Sequence, residues 1–287
     1  MKNNRKFCFL LIFLIYIGAI MVGVMTFCHL SHSSFLIRLL WSDIASTIFV
    51  YLMSLLFRNA SVYDPYWSVA PLVVLPLSAF YYQGFHLGVF ILLAAVFYWG
   101  IRLTLNWMGT FTDFNYQDWR YVMLKEKSKQ WYPLVNFFGI HLFPTLIVYG
   151  AMVPAILFIE KGSFEPLMFI GFLVSVGATT LQMISDIQMH YFRKHNRIRG
   201  KTIDIGLWKY SRHPNYLGEI LMWWGVYLMM LASLPSLWIT LLGPLFNTLM
   251  FIFISIPMAE VKLLQSKSDY AIYQASTRML LPIKRHR

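Results

Sequence analysis

Five carboxylates and one arginine stand in or beside long apolar runs, where an ionised group costs a few kcal/mol unless it is paired or hydrated. They are Asp43, Asp64, Arg102, Asp186, Glu219 and Glu260. The densest polar stretch leads from Gln182 through Asp186 to Arg193. On an α-helix these three, at i, i+4 and i+11, form one stripe that offers acceptors for amide or sugar hydroxyls and a guanidinium for phosphate. An Asp–Arg pair closing a helix at the membrane surface accounts for the spacing equally well. A second stretch, Tyr210-Ser-Arg212-His213-Pro214-Asn215-Tyr-Leu-Gly-Glu219, follows a basic loop. Pro214 suits the first turn of a helix, which sets Asn215 and Glu219 one turn apart, and Arg212 and His213 before that helix N-terminus make a setting for an anion. The lysines of the loop read as topology determinants. Glu219 does not, because a carboxylate in an apolar helix needs a partner. For Asp43 a local structural role is as good an account as any other.

The elements that must position these residues are membrane helices. Of 287 residues, 58% are hydrophobic, 18% aromatic and 13% charged, against about a quarter charged in soluble domains. That excludes a soluble globular protein, and the apolar content excludes a disordered chain. Long continuous runs, rather than alternating segments of about ten residues, exclude a β-barrel. The expected class is an all-α polytopic membrane protein with about eight transmembrane helices, near 7–29, 35–57, 66–82, 86–106, 133–159, 165–190, 216–232 and 235–258, the third and seventh being short. With Met1 cytoplasmic, all of the 24 Lys and Arg except Arg38 and Lys161 fall on the cytoplasmic side, which favours eight spans with both termini cytoplasmic. The net charge of +12 thus describes topology and does not call for a nucleic-acid partner.

The first run, preceded by Lys2, Arg5 and Lys6, exceeds a signal-peptide core in length and lacks a small-x-small cleavage site, so a retained helix is expected. Cys8 and Cys28 lie in that run, roughly 30 Å apart on one helix, and imply neither a disulfide nor a metal site. The segment 107–132 carries Trp107, Trp119 and Trp131 among Lys125, Lys127 and Lys129. It reads as a headgroup-level excursion, with Asn106, Asp118 and Arg120 as further candidate ligand contacts. The tail 259–283 reads as an interfacial amphipathic helix on the same grounds.

The run Tyr210 to Glu219, with Ser185-Asp186 upstream and Ser61-Val-Tyr-Asp64-Pro-Tyr-Trp67-Ser-Val-Ala-Pro71 near the start, resembles the steroid 5α-reductase family in its uncharacterised bacterial branch. The resemblance covers roughly residues 45–283. It implies a seven-helix reductase-like membrane domain over 35–287, with 1–34 adding an N-terminal transmembrane helix. It further implies an NADPH-dependent oxidoreductase acting on CH–CH groups, reducing a carbon–carbon double bond conjugated to a ketone in a lipid or sterol-like substrate. The cofactor contacts it implies are Arg102, Gln182 (Asn in the family), Asp186, Arg193, Asn215 and Glu219, to which the helix N-terminus adds Arg212 and His213. The catalytic donors it implies are Asp64, seven residues before Pro71 where the family has Glu, and Tyr98, with Trp99 as the alternative register. Hydride arriving at the β-carbon of an enone builds negative charge on the carbonyl oxygen, and donors aimed there lower the barrier. Asp64 in an apolar setting suits a neutral donor.

Near the C-terminus the family has a His and a Tyr on the cofactor, where this chain has Ala259-Glu260 and Leu263; the departure bears on steroid specificity. Arg212-His213-Pro214-x-Tyr216 is shared with S-adenosylmethionine-dependent isoprenylcysteine and phospholipid methyltransferases, which are the alternative. Those enzymes usually show Gly-Pro-Tyr before the motif and adjacent acids after it, and this chain has Gly206-Leu-Trp and a single Glu260. A transporter would place its charges near the bilayer midplane. The expected partners are a lipid-like small molecule and membrane lipids, with no metal, and the expected location is a bacterial inner membrane.

Overall fold

The computed structural model describes residues 4–196, 198 and 200–282. Lys2, Arg197, Arg199 and the basic end of the tail, which entered the charge count, lie outside the described residues. Every regular element among the described residues is helical. Seven helical stretches are long and apolar enough to cross a membrane: Arg5–His29, Phe35–Phe57, Leu87–Thr110, Trp119–Lys161, Met168–His195, Pro214–Ser233 and Pro235–Ser266. The third expected run also forms a helix, Tyr66–Tyr82, whose 17 residues are short against the roughly 20 that a bilayer calls for. Large apolar side chains face outward along these stretches, among them Phe13, Met25, Leu56, Leu173 and Phe253, as lipid contact requires and water would penalise. The protein is therefore an all-α polytopic membrane protein.

The chain forms two compact units, Met1–Val74 with Leu103–Val153, and Leu75–Arg102 with Pro154–Arg287. In the first, α1 (Arg5–His29) and α2 (Phe35–Phe57) are packed through small residues. A Cβ on Gly23 would lie 2.6 Å from the Ser46 hydroxyl, and Ser46 donates to the Ala19 carbonyl at 2.7 Å. Without a hydrophobic drive between helices in lipid, such close approach and hydrogen bonding are what hold them. After α2 the chain turns through Arg58 in the left-handed region (φ 54°). A short 3-10 turn, Ala60–Tyr63, then delivers Asp64 to the start of α3 (Tyr66–Tyr82). Asn59 ties this turn down, its amide donating to the carbonyls of Phe114 (2.9 Å) and Tyr116 (2.8 Å) while its oxygen accepts from Ser61 N–H. Those carbonyls belong to the loop that follows α4 (Leu87–Thr110) and precedes α5 (Trp119–Ser128). Beyond it lie α6 (Tyr132–Val135), a π-helical stretch Asn136–Leu142 and α7 (Phe143–Lys161).

The second unit is built on α8 (Met168–His195) and α9 (Pro214–Ser233). Gly171, Ser175, Ala178 and Gln182 line one stripe of α8, and Gly218, Met222 and Gly225 meet it from α9. A Cβ on Gly218 would sit 2.5 Å from the Ala178 carbonyl, and one on Gly225 2.3 Å from the Ser175 hydroxyl. Ser175 donates across to the Met222 carbonyl at 3.0 Å. Only residues without a side chain allow this spacing, and it brings the polar ends of the two helices within bonding reach.

The chain continues through α10 (Leu242–Met250), a second π-helical stretch Phe251–Ser255, α11 (Ile256–Ser266) and α12 (Tyr270–Ser276). The expected single interfacial helix over 259–283 is thus two helices broken at 267–269. The Asp269 carboxylate accepts from Thr202 N–H (3.0 Å) and the Thr202 hydroxyl (2.5 Å), and Tyr270 and Tyr273 turn inward, 2% and 8% exposed. Their hydroxyls reach carbonyl and carboxylate acceptors, so the tail docks onto the 202–213 loop.

Candidate active site

Within the second unit, Arg102 of α4, Gln182 and Asp186 of α8, and Glu219 of α9 form one network. Arg102 Nη1 donates to Asp186 Oδ2 at 2.7 Å and Nη2 donates to Gln182 Oε1. Gln182 Nε2 in turn donates to Glu219 Oε2 at 2.7 Å. An amide accepts from a guanidinium through its oxygen and donates to a carboxylate through its nitrogen, which lets Gln182 bridge two charged groups. Glu219 also accepts from Trp99 Nε1 (2.8 Å) and Trp223 Nε1 (3.2 Å). Asn215, at the first turn of α9, hydrogen-bonds Asp186. An unpaired carboxylate in this setting would cost several kcal/mol; three N–H donors and a neighbouring guanidinium offset part of that cost. Arg102 Nε is buried and has no acceptor, so the network retains an N–H for an incoming oxygen.

The other expected cofactor residues are distributed differently. Arg193, two turns beyond Asp186, is exposed and stands near Lys267. Arg212 and His213 are drawn to Glu260 of α11: Arg212 Nε donates to Glu260 Oε1 at 2.7 Å, and His213 Nε2 lies 3.0 Å from the same oxygen. Arg212 Nη1 also donates to the carbonyls of Gln274 (3.1 Å) and Thr277 (2.5 Å). Gln274 Nε2 donates to Glu260 Oε2 at 2.7 Å and the Tyr270 hydroxyl to Oε1 at 3.4 Å. At the start of α9 both residues thus meet a carboxylate of the chain itself, Glu260. This knot pins the residues immediately before Asn215 and so fixes the entry of α9.

Asp64 lies in the first unit, half-buried. Its Oδ1 accepts from the Tyr121 hydroxyl at 2.6 Å. Burial pushes its carboxyl up to about 6; the neighbouring Asp118 carboxylate adds to the rise, and Tyr121, Arg120 and Ser61 oppose it. Asp118 caps α5 and accepts from Arg120 Nε at 2.8 Å and Nη2 at 3.1 Å, so these two candidates of the excursion serve the frame around Asp64. Tyr98, in the second unit, places its hydroxyl 3.1 Å from that of Thr180. Thr180 uses its own proton on the Val176 carbonyl, so Tyr98 is the donor. Asp43 accepts from Tyr66 at 2.8 Å inside the first unit, the local structural role open to it.

Three participants were not assigned from the sequence. Trp99, the alternative register to Tyr98, is a partner of Glu219. Trp223, one turn after Glu219 on the same helix, was legible from i, i+4 spacing once a partner for the acid was required. Tyr121 carried no sequence signal, since it is 57 residues from Asp64.

A polytopic helical membrane protein with a charged network inside its helix bundle is the class these observations define. The chain belongs to the family described as "Protein of unknown function (DUF1295)", whose model matches residues 50–277, a family related to steroid 5α-reductase-like proteins. The match leaves α1 outside it. An uncharacterised protein of Schizosaccharomyces pombe is 27% identical over 243 residues, 73% of this chain and 70% of that protein. No solved structure matches the chain.

Proposed function

We propose that the protein is a membrane-embedded, NADPH-dependent reductase of a carbon–carbon double bond conjugated to a ketone in a lipid or sterol-like substrate, working in a bacterial inner membrane with its cofactor residues and both termini on the cytoplasmic side. The observation that carries this reading is the convergence of Arg102, Gln182, Asp186, Asn215 and Glu219, drawn from three helices, into one bonded network. The donor set suits a dinucleotide: the buried Arg102 Nε–H lacks an acceptor, and carboxylates and amides suit ribose hydroxyls and a carboxamide. Arg193, exposed at the end of α8, is the cation for phosphate. When bound, the dinucleotide supplies the hydride.

The chain's own residues supply orientation and charge. Gly218 holds α9 against α8 so that Glu219 and Gln182 stay in register. Glu260 holds Arg212 and His213, and through them the first turn of α9 that carries Asn215. Asp64, with its carboxyl near 6, is protonated in an appreciable fraction of molecules near neutrality and donates to the carbonyl oxygen as negative charge develops there.

The rival, an S-adenosylmethionine-dependent methyltransferase, draws support from the Arg212–Glu260 pair, an acid following the shared motif, but gives the Arg102 network no task. Binding of NADPH, NADH and S-adenosylmethionine to purified protein separates the two. The reductase predicts NADPH binding weakened by both Glu219→Gln and Arg193→Ala. Protein that binds S-adenosylmethionine, and neither binds NADPH nor oxidises it with any enone lipid, overturns the reductase.

A further inference from the structure

The phenol bonded to Asp64 comes from α5. Its place is built by several independent contacts inside the first unit. Asn59 ties the 59–64 turn to the carbonyls of Phe114 and Tyr116. The Ser61 hydroxyl accepts from Asp118 N–H at 3.1 Å, fixing the first turn of α5 against the turn that carries Asp64. Tyr121 is buried, 9% exposed, and its hydroxyl reaches Asp64 Oδ1 at 2.6 Å. The groups facing Asp64 are Asp118, Arg120 and Tyr121 from the start of α5, Ser61 and Tyr63 from its own turn, and Tyr16 from α1.

We propose that Tyr121 is the positioning residue of Asp64, its hydroxyl donating to the carboxyl so that the pair acts as one proton-donating unit toward the substrate's carbonyl oxygen. The proposal rests on the reductase reading. A bound reduced dinucleotide would supply the hydride for the C–H bond at the β-carbon, and the double-bond electrons would move onto the oxygen. Asp64 then gives its proton to that oxygen, forming an enol and leaving a carboxylate. Solvent returns a proton to Asp64 and delivers one to the α-carbon while the enol O–H proton leaves to solvent, so the sum is one hydride and one proton added. Tyr121 acts at the middle of this sequence. A hydroxyl donated to a carboxylate favours its charged form, so it stabilises the state Asp64 reaches on giving up its proton.

The test compares wild type, Tyr121→Phe, Asp64→Asn and, as a control on a neighbouring phenol, Tyr132→Phe, in the full-length protein with NADPH and an enone lipid. Because Asp64 acts in its protonated form, wild-type turnover falls as pH rises through the Asp64 pKa. Tyr121→Phe is expected to lower the low-pH plateau about tenfold or more and to move that limb to higher pH by about one unit. Tyr132→Phe leaves the limb in place. A merely structural defect lowers turnover without moving the limb, so an unmoved limb in Tyr121→Phe overturns the proposal while the reductase stands. An infrared titration of the carboxylic-acid band lost in Asp64→Asn reads the same coupling without turnover. Its midpoint rises in Tyr121→Phe if the pair is coupled, and an unchanged midpoint overturns the pair even if no enone is reduced. Absence of NADPH oxidation with the coupling intact overturns the reductase reading and the catalytic use of the pair together.

Discussion

Glu219 and Asp64 are both acids withdrawn from water, and the two units of the molecule treat them differently. Around Glu219, side chains from three helices present N–H donors: two indoles and an amide, with the guanidinium of Arg102 one bond further on. Asp64 accepts from one phenol, with a serine and a like-charged neighbour, Asp118, beside it, the latter itself engaged by Arg120. The first environment saturates a carboxylate with N–H donors from three helices, and the second gives it one phenol beside a like charge. An acid whose lone pairs are filled by rigid donors suits binding and scaffolding, whereas Asp64, its carboxyl pushed up to about 6, suits proton donation.

The contrast breaks most severely at Arg102. Arg102→Ala leaves Asp186 without its partner and Glu219 without its nearest positive charge, and is expected to cost about 3–5 kcal/mol of stability, read as a lowered melting temperature in detergent together with lost NADPH binding. An unchanged melting temperature would mean that the network does not hold the second unit together. Asp64→Asn should behave in the opposite way, lowering turnover about 10²–10⁴-fold while NADPH binding and the fold persist.

That substitution also carries a sign. Because the folded carboxyl lies above its unfolded value of about 3.9, the native state holds more protons between pH 4 and 6, and the stability Asp64 contributes is lost as pH rises through about 6. Asp64→Asn should therefore be at least as stable as wild type at pH 7, with no such gain at pH 4. Wild-type turnover in Asp64→Asn would remove the residue from the mechanism.

A smaller effect tests the backbone approach that makes the Glu219 environment possible. Gly218→Ala introduces a methyl 2.5 Å from the Ala178 carbonyl, so α8 and α9 must part; a loss of about 1–3 kcal/mol and weaker NADPH binding are expected. Unaltered binding would show that Gln182 and Glu219 need no such closeness. The smallest effect is expected at Asp269, where burial raises the carboxyl but the hydrogen bonds from Thr202 outweigh it and leave it below the ordinary range. Its contribution is present above the unfolded pKa and lost as pH falls through the lower folded one, the reverse of Asp64. Asp269→Asn should thus cost less than about 1 kcal/mol at pH 7 and flatten the acid limb of a melting-temperature profile.

Much of the helical framework was legible because its causes are local. The apolar runs, the short third helix, Pro214 opening α9 and Asn215 and Glu219 one turn apart all follow from composition and a 3.6-residue period. The candidate site was legible as a set of residues that membrane helices do not keep without partners. What stayed hidden was the choice of partner. Arg212 and His213 read as an anion site and do meet an anion, but it is Glu260, 48 residues from Arg212. The tail read as amphipathic because its aromatics and lysines fit an interface, and Tyr270 and Tyr273 instead turn inward to polar groups that no periodicity could announce.

By itself, then, the sequence determined that this chain crosses a membrane and which of its few acids stand where lipid would not tolerate them bare. Burial cost depends on residue type and on the apolar neighbours along the chain, and both are written in order. The tertiary structure alone decided which donor answers each acid: Trp99, Gln182 and Trp223 for Glu219, Tyr121 for Asp64, Arg212 and His213 for Glu260. Hydrogen bonds act over about 3 Å, and only the packing of helices at residues such as Gly218 brings groups tens of residues apart within that distance.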